Sequence, residues 1–337
     1  MSISRTEFIT RCFIVLAIAL LPVLVWYLFD VILIGVSAFL VAAVLRLGAE
    51  PLTRWLRVPP HAALAISAIV IFAGLAGAGY LFGSRMAADI QDVIERAQSG
   101  QSTIANTIQQ SELGRTALEH IRDRVNIVGF LPRVFSVSAG VVGGIVVAIF
   151  AGLFFAAQPK LYLHGLVQLF PPRMHREVDD TIASIGRGIR LWLLGQLIQM
   201  CLIGTLSTIA VWLIGLPSPW TLGVIAGLAE FIPYVGPIIS AIPAVLVAAT
   251  QGLYPILWTI AAYVLIHQAE GHLIMPFIAR YMLVIPPAVI LLGIVAIGAL
   301  FGVAAVPLAA PLAVIAFVAI NKVYVRDTLG EDAALPD

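Results

Sequence analysis

Gly227-Leu-Ala-Glu230-Phe-Ile-Pro233-Tyr234-Val-Gly236-Pro237-Ile-Ile-Ser240-Ala-Ile-Pro243 lies inside Leu222–Thr250, a run apolar and long enough to cross a bilayer, yet no plain helix continues through it. Each proline removes an N–H and clashes with the preceding turn. Backbone groups freed at that depth must be satisfied without bulk water, so irregular chain in hydrocarbon persists only buried in protein or lining a wet cavity. Broken helices of this kind build central sites in proteins that move solutes, whereas a turn outside the membrane needs no such support. Glu230 favours the first arrangement, because a carboxylate within an apolar segment costs about 2.5–3.5 kcal/mol on insertion scales.

The rest of the chain makes lipid its solvent. Of 337 residues, 61% are hydrophobic and 11% charged, a composition that cannot clothe a soluble domain. Apolar stretches that read as spans are Cys12–Phe29, Val31–Leu45, Ala62–Phe82, Val137–Ala157, Leu191–Leu216, the broken Leu222–Thr250, Leu257–Ile274 and the broken Leu283–Ala319. The expected fold class is therefore an all-α integral membrane protein with about eight transmembrane helices and Pro/Gly-broken hairpins in its C-terminal half. The first run lacks a small-residue cleavage site and is expected to stay in the mature protein. A net charge of +1, with basic residues dispersed among acids, excludes nucleic acid as a partner. Cys12 and Cys201 sit in apolar runs and are expected to pack rather than to form a disulfide.

The chain reads as one membrane domain in three parts: N-terminal spans over 1–83, an extramembrane insertion over 84–134, and a C-terminal bundle over 135–337. In the insertion, Ile90, Val93, Ile94 and then Ala117, Leu118, Ile121, Val125 recur at helical spacing, which predicts two amphipathic helices divided at Ser99-Gly100-Gln101-Ser102. Such helices either cap their own bundle or bind a partner. Residues Glu177–Arg190 predict a short interfacial helix leading into the fifth span. Arg5 and Arg11, then Arg46, Arg54 and Arg57, then Lys160 through Arg190, then Lys322 and Arg326 fall on one side under the positive-inside rule, which predicts cytoplasmic termini.

A second break, Val284-Ile285-Pro286-Pro287 with Gly298, Gly302, Pro307 and Pro311, resembles the first in kind. The pairs Gly140/Gly144, Gly223/Gly227 and Gly298/Gly302 read as places where helices approach closely. Between the breaks lies His267-Gln268-Ala269-Glu270-Gly271-His272. His267 and Glu270, three apart, share a helical face, while His272 points elsewhere; no metal ligation is expected, because the helical zinc pattern needs two histidines at i and i+4. A His–Glu pair in apolar surroundings can instead carry protons. There is no nucleophile elbow and no phosphate-cradling loop, so no enzyme activity and no cofactor are expected, and transport would be driven by ions or gradients.

Phe231-Ile-Pro233-Tyr234-Val-Gly236-Pro237-Ile with Ile242-Pro243, His267-Gln268-x-Glu270 with Pro276 downstream, and Glu50-Pro51-Leu52 together resemble the AI-2E family of bacterial transporters. The resemblance covers nearly the whole chain. It implies about eight spans in a bacterial inner membrane, with export of the quorum-sensing molecule autoinducer-2 or sodium(lithium)/proton antiport. The chain departs from the family pattern with Gly271-His272 where Asn is common and Ala279 where Gly is frequent. The expected pathway residues are Glu230, Pro233, Tyr234, Gly236, Pro237, His267, Gln268, Glu270 and His272. The expected partners are the lipid bilayer, a small solute, H+ or Na+, and further copies of the chain in a homo-oligomer. A passive oligomeric channel and a scaffold acting through 84–134 are the readings from other classes.

Overall fold

A computed structural model of the chain describes residues 26–109, 139–278 and 285–326, together with Leu20 and Leu24. The expected first span with Cys12, the later part of the insertion (110–134) and Ala279 fall essentially outside these residues. Among the described residues the secondary structure is helical throughout, with no strand, as the composition requires.

Helix α1 (Phe29–Arg54) carries the second expected span. Helix α2 (Pro60–Gln109) opens with proline in its first turn and runs unbroken for 50 residues. It passes straight through Ser99-Gly100-Gln101-Ser102, where a division was expected. One interior glycine costs only about 1 kcal/mol, and extending a helix already formed in the membrane avoids a new nucleation step. At about 1.5 Å per residue the helix is far longer than a bilayer core. Beyond the expected span it packs against other helices: Val93 is buried with Val211, Leu216, Leu222, Ala244 and Val247, and Asp89 accepts a hydrogen bond from the Thr221 hydroxyl at 3.2 Å.

Helix α3 (Ala139–Ala157) crosses α1 at Gly152, where a Cβ would lie 2.8 Å from the Ala38 carbonyl. Arg46 donates to the Ala156 carbonyl at 3.0 and 3.3 Å, which satisfies an end of α3 just before the chain turns by 93° into α4 (Pro159–Gln168). Helix α5 (His175–Ile214) merges the expected interfacial helix and the fifth span into one 40-residue rod, ended by Gly215 at φ +84°. Cys201 on it is exposed and unpaired.

The broken stretch resolves into α6 (Pro219–Ala229) and α7 (Gly236–Ala249), of 11 and 14 residues. Each is shorter than the roughly 20 helical residues a crossing needs. Then α8 (Leu253–Ala269) passes through a π-helical turn at Glu270–Ile274 into Met275–Ile278. Helix α9 (Pro287–Phe301) stops at Gly302, φ +83°, and a 3-10 segment Val303–Leu308 leads into α10 (Ala309–Ile320). Four helical segments among the described residues are long and apolar enough to cross a membrane, or five with the bent α3–α4 pair. That is fewer than the eight apolar stretches, because the first is not described, Leu222–Thr250 divides into the short α6 and α7, and α8 has only 17 residues before its π-helical turn.

Lipid gives apolar faces no reason to associate, so close backbone packing must do so. It does at α5 and α6: a Cβ on Gly227 would lie 2.7 Å from the Met200 carbonyl and 3.2 Å from the Gly204 Cα. On Gly223 it would overlap the Thr208 hydroxyl. This pair is the close contact its spacing suggested. The other two pairs divide: Gly144 faces Ile34 and Gly298 faces Val306, but Gly140 has nothing within 4 Å and Gly302 is a helix stop. Gly227→Ala is therefore expected to cost about 1–3 kcal/mol by overpacking. Gly186→Ala, with open space at its Cβ, should cost nothing. Unfolding in mixed detergent reads the difference.

Candidate functional site

The site begins at the end of α6. Pro233 cannot donate to the Ala229 carbonyl, and the Ile232 N–H takes its place at 3.0 Å. The chain then reverses through Tyr234, a non-glycine residue at φ +66°, and the Gly236 N–H returns to the Ile232 carbonyl at 2.8 Å. Gly236 is required sterically, since a Cβ would overlap the Ala229 carbonyl. The Glu230 carbonyl, left without a helical donor, accepts from the buried Gln196 side chain of α5 at 2.7 Å. Trp192 and Phe231 meet edge to face at 5.9 Å and brace the turn.

This turn delivers the Glu230 side chain, 3% exposed, into the protein interior. One ligand-capable atom from each of Glu230, His267 and Glu270 lies within 4.8 Å of the others. His267 Nδ1 is 3.0 Å from Glu270 Oε2. Gln199 of α5 donates to Glu270 Oε1 at 3.0 Å. Among the described residues, Glu230 Oε2 and His267 Nε2 are buried with no hydrogen-bond partner. The π-helical turn begins at Glu270, and such a bulge re-aims side chains at functional sites.

Of the residues expected in a pathway, Glu230, His267 and Glu270 come together, and Pro233, Gly236 and Pro237 shape the turn that brings them. Tyr234, Gln268 and His272 lie exposed, with His272 Nδ1 held 3.0 Å from the Gln268 carbonyl. The spacing of His267, Glu270 and His272 within one helix offers no metal-ligand set, but the third group, Glu230, arrives from another helix. Gln196, Gln199 and Ser207 of α5 and Thr259 and Tyr263 of α8 also form buried polar positions that the sequence reading passed over. Their signal was available: Gln196, Gln199 and Ser207 fall on one face of α5 at spacings of three and eight.

A cavity of about 810 Å³ lies elsewhere, lined by Arg46, Glu50, His61, Lys160 and Arg190 among others. There Glu50 pairs with Arg54 at 2.9 Å and with Arg190, tying α1 to α5. Glu50-Pro51-Leu52 thus marks a helix tie rather than part of the buried cluster, and Arg46, Arg54, Lys160 and Arg190 gather at one end of the bundle.

A broken hairpin that places a carboxylate among buried ionisable groups is a feature of helical membrane proteins that move solutes across bilayers. The particular family follows from comparison: the AI-2E family transporter model matches residues 13–325, and the chain belongs to that family. Its relatives include YrrI of Bacillus subtilis, which carries a provisional name as a transport protein, 38% identical over 136 residues that cover 40% of this chain and 36% of YrrI. YueF of the same organism, provisionally named likewise, is 27% identical over 187 residues, covering 56% of this chain and 51% of YueF. The chain thus spans between a third and half of the length of these two relatives. MT0215 of Mycobacterium tuberculosis, also a provisional transport protein, is 25% identical over 318 residues, 87% of this chain and 84% of that protein.

Gln196→Leu leaves the Glu230 carbonyl buried without a donor and is expected to cost about 1–3 kcal/mol. Gln268→Leu, on the exposed face, should stay within about 0.5 kcal/mol of the parent. Paired unfolding curves in detergent check both.

Proposed function

We propose that this protein is a secondary transporter, in which a small polar solute of the autoinducer-2 class passes along the polar side of α5 and is coupled to a cation at Glu230, His267 and Glu270. The observation that carries the reading is the Glu230 carboxylate, buried in an apolar bundle and delivered by a purpose-built turn to a second carboxylate and an imidazole. Intramembrane ionisable groups are expensive and face substrate or ion pathways when retained. The sequence holds no nucleotide-binding motif, which favours a gradient as the driving force. Residence in a bacterial inner membrane with cytoplasmic termini, and a homo-oligomeric state, belong to the same proposal.

Sodium(lithium)/proton antiport is the second reading, favoured by the same cluster, since two carboxylates and an imidazole can exchange one cation for another without a separate solute. Proteoliposomes separate the two. Autoinducer-2 flux that responds to an imposed proton or sodium gradient, and falls at least tenfold in Glu230→Gln and Glu270→Gln, supports the solute reading. Gradient-driven sodium/proton exchange without solute flux supports antiport. Unchanged flux in both variants removes these residues from the mechanism, and conductance indifferent to any gradient makes the protein a passive channel.

A further inference from the structure

The cluster that the transport reading uses has a coordination chemistry of its own. It offers two carboxylates and one imidazole, contributed by the end of α6 and the end of α8, with one ligand-capable atom of each within 4.8 Å of the others. Two of its atoms, Glu230 Oε2 and His267 Nε2, are buried and unpartnered among the described residues, and Glu230 as a whole is 3% exposed. A buried acceptor left empty is costly, and an anion left unpaired in a low-dielectric interior more so. His267 Nδ1 and Glu270 Oε2 stand 3.0 Å apart, the separation of two neighbouring donors on one ion, and the Gln199 amide holds Glu270 through its other oxygen. An ion bound there takes the place of the hydrogen bond between them, with Nδ1 as the ring's ligand atom.

From this geometry we infer that Glu230, His267 and Glu270 bind a first-row divalent transition cation. An imidazole donor selects against Na+, Mg2+ and Ca2+, which prefer all-oxygen shells. Two carboxylates balance the double charge of the ion. Ligand distances of about 2.0–2.2 Å require the three donors to close by roughly an ångström, within reach of side-chain rotation. The open positions left by three protein ligands can hold water or solute.

The inference rests on the transport reading only in naming the class of cation, and equilibrium binding tests it apart from flux. Purified, tag-free protein in detergent is titrated with Co2+, followed by its visible absorption and by calorimetry, with Zn2+ as competitor. One Co2+ per chain is expected, displaced by Zn2+ and not by a large excess of Na+ or Mg2+. Glu230→Gln, His267→Ala and Glu270→Gln should each weaken binding at least tenfold. His175→Ala, whose ring contacts the Phe170 carbonyl at 2.9 Å, should bind as the parent does. Size-exclusion profiles that match the parent show that the variants are folded. Absence of stoichiometric Co2+, cluster variants that bind like the parent, or displacement by Na+ would each overturn the inference. Loss of binding with gradient-driven flux intact rejects the metal and leaves the transport reading standing, and binding without flux does the reverse.

Discussion

Hydrocarbon supplies no hydrogen-bond partner, and that constraint governs how this chain can interrupt a helix. Pro233 breaks the run between α6 and α7, and the carbonyls it strands have to be met from within the protein. The Ile232 N–H meets Ala229, the Gly236 N–H meets Ile232, and the Gln196 side chain of α5 meets Glu230. That last contact joins the break to a different helix. It is close in space because Gly204, Gly223 and Gly227 let α5 and α6 come nearly backbone to backbone. Glycine packing, amide capping and the position of the Glu230 carboxylate are thus one arrangement seen at three places.

The arrangement serves chemistry because the same α5 face continues into the cluster. Gln196 holds the turn and Gln199, three residues on, holds Glu270. A single helical face therefore sets both carboxylates, from two helices that neighbour each other only through the fold. His267 and Glu270, three apart, meet on one helical face where α8 enters its π-helical turn. Elsewhere the Glu50 ion pairs do a comparable task at one end of the bundle, locking α1 to α5 without entering the interior.

Much of this was legible in the residues. Proline and glycine punctuation within an apolar run located the break at Pro233–Pro237, and the intramembrane charges Glu230, His267 and Glu270 stood out because lipid penalises them. What escaped was of two kinds. Helix continuity was underestimated: Ser99-Gly100-Gln101-Ser102 reads as a break, yet nothing in it forbids propagation from a helix already formed, and α5 likewise joins in one rod the short interfacial helix and the span expected after it. Partnership across elements was hidden as well. The face shared by Gln196 and Gln199 is visible in their spacing but not what it meets, and His272, expected in the pathway although it points away from His267, lies exposed while His267 stands against two carboxylates.

The central claim is that the broken hairpin holds Glu230 against the end of α8 in the membrane. Cysteines at positions 230 and 267, in a background lacking Cys12 and Cys201, test it directly through cross-linking by a short bifunctional thiol reagent in native vesicles. The account predicts efficient intrachain cross-linking of 230 with 267, and little of 230 with 272. Equal yields for the two pairs, or none for 230 with 267 while both thiols remain reactive, would contradict it.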